Sequence, residues 1–135
     1  MTNKLEFYRC SICGNVVQVL LDGEGELSCC GEAMELLKPK TTEGDMGEYH
    51  VPVFMHDDEK GTFIQIGKEP HPMTEEHHIE FIQFISEDKK CTRLHYLEPG
   101  EEPNMYLNKS MENQKKCAVE MCNLHGLWKG ENDEH

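Results

Sequence analysis

Four of the chain's seven cysteines fall within its first 30 residues, as Cys10, Cys13, Cys29 and Cys30, in the spacing C-x2-C-x15-C-C. The segment that holds them, up to about Lys38, is too short to rest on a core of its own. Below about 40 residues a fold generally needs a metal, a disulfide or a partner chain. The cysteine total is odd, and the opening "MTNKLEFYRC" has neither the long apolar run nor the cleavage site of a signal peptide. Both features favour thiolate ligands over disulfides, and a cytoplasmic setting is expected. The "CSIC" turn is the usual chelating half of a tetrahedral thiolate site, and Gly14 suits the tight knuckle that follows. The adjacent pair Cys29 and Cys30 is less usual: neighbouring side chains diverge, so a distorted tetrahedron is expected. Zinc and iron both accept four thiolates, so the spacing leaves the metal open, and a zinc knuckle that only folds the segment is one reading.

Beyond this segment, "KPKTTEGDMGE" is polar, contains Pro and Gly, lacks periodicity and reads as a linker. The chain is therefore divided into a small metal-bound domain over 1–38 and a larger domain over 39–135. From Tyr49 the pattern is one of short β-rich runs: "YHVPVFM", "GTFIQIGK", "HHIEFIQFIS", "CTRLHYL", "NMYLNK" and "KCAVEMC". The separators are charged, and no long segment has helical periodicity. An all-β chain with an antiparallel β-sandwich in the larger domain is expected, and "KGENDEH" reads as a polar tail.

Acidic residues outnumber basic ones by 26 to 13, a formal net charge of -13. This argues against nucleic acid and against an anionic membrane surface as partners. No run approaches the roughly 18 apolar residues that span a bilayer. An anionic substrate would need a local positive centre to overcome the global field, which a metal ion supplies.

A second cluster of ligand-type residues lies in the larger domain. His50 stands in "EYHVPV", His71 between two prolines in "PHPM", His77 and His78 in "TEEHHIEF", and Cys122 with His125 in "CNLHG". Adjacent His77 and His78 cannot easily reach one ion, so at most one of them is a ligand. The flanking prolines pin the backbone at His71, and Cys122-x-x-His125 closed by Gly126 is a compact chelating turn. Singly, each histidine reads as surface or structural; His56, His95 and His135 have no supporting context. Together, four imidazoles and one thiolate exceed what a structural zinc takes, and suit iron with an open sixth position. Cys91 and Cys117 read as buried, inert thiols, Trp128 and Met73 as packing near the site, and Glu75 and Glu76 as a solvated acidic pair.

These motifs, "CSIC" with "CC" and then "EYHVPV", "PHPMTEEHHIEF" and "CNLHGLWK", resemble the desulfoferrodoxin family, the two-iron class of superoxide reductases, over nearly the whole chain. The resemblance implies a desulforedoxin-like or rubredoxin-like N-terminal domain with iron on Cys10, Cys13, Cys29 and Cys30. It implies an immunoglobulin-like sandwich holding ferrous iron on His50, His71, His77 and His125, with Cys122 as axial thiolate. It further implies reduction of superoxide to hydrogen peroxide without dismutation, a rubredoxin-like electron donor and a homodimer. Glu48 matches the carboxylate that the resemblance implies can coordinate the ferric ion after turnover. One departure stands out. The family usually reads Glu-Lys-His where this chain has Glu48, Tyr49 and His50, and a phenol brings no positive charge at neutral pH. Slower or less salt-sensitive capture of superoxide is expected, unless another cation such as Lys129 or Lys40 reaches the site. The competing readings are a non-catalytic electron carrier and a zinc-binding structural module; neither needs "CNLHG" alongside three separate histidines.

Overall fold

The computed structural model describes residues 1–41, 47–112 and 116–132. Part of the expected linker, 42–46, and the end of the chain with His135 lie outside the described residues. The chain divides into two compact units, Met1–Lys38 and Pro39–His135.

The first unit is built from very short strands. Strand β1 (Phe7–Arg9) pairs antiparallel on one side with β2 (Val16–Gln18). Beyond these, β3 (Ser28–Cys29) and β4 (Glu32–Ala33) form a two-residue hairpin, and β5 (Glu35–Leu37) pairs with the other side of β1. Its buried apolar residues include Phe7, Cys10 and Val19, little for a unit of this length, which is why the four thiols matter to its stability.

The second unit opens with a single helical turn, α1 (Gly47–His50), followed by β6 (Pro52–Asp57) and β7 (Gly61–Ile66). Then come β8 (Ile79–Ile85), β9 (Thr92–Tyr96), β10 (Asn104–Tyr106), a second short turn α2 (Lys109–Glu112), β11 (Lys116–Cys122) and β12 (Gly126–Asn132). They form two sheets, β10-β7-β6 and β12-β11-β8-β9, every pair antiparallel. This is the antiparallel sandwich of immunoglobulin type. Its core follows from strand alternation: Ile82 and Phe84 of β8 and Ala118 and Cys122 of β11 meet Ile64 and Ile66 of β7, all buried. Cys122 therefore ends a strand that is anchored by core packing, which fixes the sulfur before any metal arrives. Among the described residues, no helix is long and apolar enough to cross a membrane.

Three local expectations need correction. The run from Tyr49 is not continuous strand: Val51 N–H donates to the Gly47 carbonyl at 3.0 Å, closing a helical turn that carries His50. Pro52, with no N–H to continue the helix, starts the strand after it. "KGEN" of the expected tail belongs to β12, paired over seven residues from Lys116↔Asn132 to Cys122↔Gly126. A Cβ at Gly130 would collide with the Pro52 carbonyl oxygen, so β12 can run this close to β6 only with glycine there. Finally, Cys91 is exposed and Cys117 half-buried. Cys91 follows the polar turn in which Asp88 accepts from Ser86 Oγ and Lys90 N–H, outside any packed layer.

Two candidate metal centres

In the first unit the sulfurs of Cys10, Cys13, Cys29 and Cys30 all lie within 4.8 Å of one another. Cys13 and Cys29 are 3.6 Å apart, Cys29 and Cys30 3.9 Å. Tetrahedral thiolates bound at about 2.3 Å stand about 3.8 Å apart, so the spacing fits a single ion. The expected distortion at Cys29 and Cys30 is relieved by the hairpin. Cys30 has φ of 55° and Gly31 of 80°, the two left-handed residues of a type I′ turn, which swings Cys30 back toward Cys29. A non-glycine residue in that conformation costs about 1–2 kcal/mol, which metal–sulfur bonding offsets. The Cys13 N–H reaches Cys10 Sγ at 3.4 Å. That amide and the one of Ile12 draw the Cys10 thiol down to about 6. Hydrogen bonds with the Cys13, Cys29 and Cys10 sulfurs push the Cys30 thiol up to about 12.

In the second unit four imidazoles form a square. Ring centroids of neighbours are 4.7 Å for His50 and His71, 4.5 Å for His71 and His77, 5.1 Å for His77 and His125, and 4.7 Å for His125 and His50. Across the square, His50 and His77 are 6.2 Å apart. His50 Nε2 lies 3.0 Å from His125 Nδ1 and 3.2 Å from His71 Nε2. Neighbouring nitrogens bound at about 2.1 Å and right angles would be about 3.0 Å apart. Cys122 Sγ is 3.7 Å from His71 Nε2 and 3.7 Å from His125 Nδ1, two opposite corners, which places it on the axis of the square. A five-donor set of this kind leaves one position of a six-coordinate ion for a further donor or a substrate.

Two details say that this square is made for a cation. His71 Nδ1–H donates to the Pro72 carbonyl at 2.7 Å, which leaves Nε2 as a bare lone pair aimed inward. His77 Nε2 is buried with no hydrogen-bond partner among the described residues. Burial, followed by the neighbouring imidazoles, pushes His71 down to about 4 despite its bond to Pro72, and burial first and His125 next lower His77. Both rings are thus neutral at pH 7 and ready to coordinate, whereas burial raises the Cys122 thiol, which must give up its proton to bind. His78 stays outside: its Nδ1–H donates to the Thr74 carbonyl at 3.0 Å.

Two supports of the square, Asn123 and Gly67, are residues that the sequence reading did not single out; Trp128 and Lys40 were. Asn123, inside the "CNLHG" turn, accepts the His78 N–H at 2.8 Å on Oδ1 and donates to the Glu76 carbonyl at 3.0 Å from Nδ2. Its own N–H donates to the His78 carbonyl at 3.1 Å, so one turn positions His125 and the His77 loop together. Gly67 lies under α1, with its N–H on the Val51 carbonyl at 3.1 Å. Trp128 is buried and stacks on His50 at 4.9 Å, while its Nε1–H donates to the His125 carbonyl at 3.1 Å. Lys40 Nζ donates to that same carbonyl at 3.0 Å. Glu48 and Tyr49 precede His50 on α1 and are both exposed.

Glu120 is a further surprise. It is fully buried two residues before Cys122, on the same face of β11, and both carboxylate oxygens lack a hydrogen-bond partner among the described residues. Burial holds its acid well above the usual carboxylate range. The sign follows from linkage. A carboxyl raised in the folded state contributes fully below its unfolded value, about 4.3, and loses that contribution as pH rises toward the folded one. In metal-free protein, Glu120→Gln is expected to gain stability relative to wild type as pH rises from 5.5 to 8. Urea midpoints followed by Trp128, the chain's one tryptophan, measure this directly. A pH-independent difference would place the charge of Glu120 elsewhere.

Comparison with known proteins agrees with this geometry. The desulfoferrodoxin family model matches residues 42–131, and the model of the desulfoferrodoxin N-terminal domain matches residues 2–37. A desulfoferrodoxin from Desulfarculus baarsii is 40% identical over 132 residues, covering 98% of this chain and 100% of its own. A superoxide reductase from Thermococcus kodakarensis is 35% identical over 111 residues, covering 71% of this chain and 96% of its own. Among solved structures, the superoxide reductase from Treponema pallidum shares the fold, with a TM-score of 0.66 at 22% identity, covering 96% of this chain and 99% of that one. The tetracysteine group and the four-histidine, one-cysteine group fit two iron centres. Matched along both units, and bearing a ligand cluster in each, the chain belongs to the desulfoferrodoxin family.

Proposed function

We propose that this chain is a superoxide reductase, converting superoxide, one electron and two protons into hydrogen peroxide without dismutation. The observation that carries the reading is the square of His50, His71, His77 and His125 with Cys122 beside two opposite corners, a five-donor set that would leave one position of a six-coordinate ion open. Iron bound there supplies the single electron in its ferrous state and accepts one back from a donor. The protein's part is to hold that set rigid. The core packing of β11 fixes the Cys122 sulfur on the axis, and a thiolate there donates charge that favours the oxidised state of the ion. The prolines around His71 and the Asn123 clamp on the His77 loop keep the imidazoles in register. Glu48, exposed on α1 two residues before His50, is the carboxylate that would take the open position once the product has left. Tyr49 beside it offers a hydrogen bond and no positive charge. Protons come from water.

Cys10, Cys13, Cys29 and Cys30 hold the second iron, which staples the small unit. The donor is a small rubredoxin-like protein, and the seven free cysteines suit a reducing cytoplasm. The first unit exposes Ile12, Leu20 and Leu21 at 58%, 74% and 86%, apolar surface that a second copy of the chain would cover in a homodimer.

The test is a stoichiometry. Prereduced protein mixed with a limiting amount of superoxide is expected to yield one hydrogen peroxide per superoxide consumed and no dioxygen. One peroxide for every two superoxides, with dioxygen evolved, would make the reaction a dismutation and overturn the proposal.

A further inference from the structure

We propose that Lys40 is the cation that draws the anionic substrate to the four-histidine, one-cysteine site, an inference that rests on the superoxide reading above. The need for it is electrostatic. With a net charge of -13 the protein as a whole repels an anion, so capture calls for positive charge within about one Debye length, ~8 Å at physiological ionic strength.

The structure places Lys40 for that task. Its backbone is sewn along β12: its N–H donates to the Leu127 carbonyl at 2.9 Å, and its own carbonyl accepts from Lys129 N–H at 2.8 Å, bridging Trp128 in parallel. From that anchor the side chain crosses the Trp128 ring, with Nζ 5.2 Å from the ring centroid, and donates to the His125 carbonyl at 3.0 Å. Trp128 in turn stacks on His50. The ammonium is thus tied to one ligand residue directly and to a second through an indole, while Lys40 itself remains exposed. A cation over an indole and on a carbonyl keeps its full charge, because neither partner carries a negative one. Lys129, the neighbouring candidate, is spent differently: its Nζ pairs with Glu131 at 2.9 Å, and strand alternation turns it to the face opposite Trp128. Lys40 therefore supplies, from the sheet edge, the charge that Tyr49 on α1 does not.

A lysine that only clamps the "CNLHG" turn would have the same contacts, so the test separates charge from clamp. Iron-loaded, oxidised wild type, Lys40→Gln and Lys40→Arg are titrated with azide, a small anion, at low and at high salt. Binding is followed by the change in visible absorption of the site. Lys40→Gln is expected to bind azide about threefold to tenfold more weakly at low salt, with Lys40→Arg restoring wild-type affinity and the gap closing at high salt. Rate constants for superoxide with the reduced proteins are expected to follow the same order. Equal azide affinity in wild type and Lys40→Gln overturns the proposal. So does a loss shared by Lys40→Arg and insensitive to salt, which marks a clamp. If wild type consumes no superoxide, the reductase reading fails, while the azide series still decides the role of Lys40.

Discussion

Cys122→Ser is expected to lower the superoxide rate constant by at least ~100-fold, since losing a ligand outweighs the 10–100-fold typical of its outer partners. The sulfur stands on the axis of the imidazole square, 3.7 Å from His71 Nε2 and from His125 Nδ1, and its residue is buried at the end of β11. Serine puts a shorter, harder and less easily ionised donor at that point, which withdraws the charge that favours oxidation of the ion. Its hydroxyl also enters an apolar layer formed by Ile79, Ile82 and Ala118. The variant is expected to lose the visible thiolate absorption of this site while keeping that of the tetracysteine group, which lies in a separate unit. Stopped-flow kinetics and absorption spectra on the same sample check both. A variant that retains the rate would remove Cys122 from the site.

Gly67→Ala is expected to destabilise the second unit by about 3 kcal/mol or more and to empty its metal site, although residue 67 touches no ligand atom. Gly67 has φ of 84°, and a Cβ there would lie 2.5 Å from the Tyr49 carbonyl oxygen and 2.7 Å from that of Glu69. Both are backbone atoms that cannot swing aside. One belongs to the turn that carries His50, the other to the approach to His71, whose N–H donates to the Ile66 carbonyl at 3.1 Å. Relieving the clash moves two corners of the square apart. Gly100→Ala separates the two causes: Gly100 has φ of 94° but nothing within 4 Å of its absent Cβ. It is expected to cost only the backbone strain, about 1–2 kcal/mol, and to keep its iron. Iron content and urea midpoints of the pair decide; equal losses in both would mean that the close approach to Tyr49 and Glu69 does not matter.

Much of the site was legible because ligand chemistry leaves short, spaced words in a sequence. Cys-x-x-Cys and Cys-x-x-His turns chelate locally, and prolines around His71 announce a fixed backbone, so these residues were found without a fold. What the sequence hid is what depends on chain segments meeting. Nothing near Gly67 reveals that α1 crosses above it, and nothing in "CNLHG" says that Asn123 closes on residues 76–78 rather than on solvent. Local rules also misled where one residue overrode them. Pro52 stops the helical turn and delays the strand to its own position, so His50 is presented from a helix end. The left-handed Cys30 brings together two sulfurs that ordinary alternation would part. Glu120 looked like one more acidic residue of a strongly acidic chain, and only the sandwich reveals it as a buried one.

The most direct test of the account is elemental analysis of protein purified from iron-replete cells without added metal, expressed per chain and combined with its absorption spectrum. The account predicts two irons and a coloured protein, one iron for the tetracysteine group and one for the square of histidines with Cys122. Zinc at both sites, in a colourless protein, would contradict it.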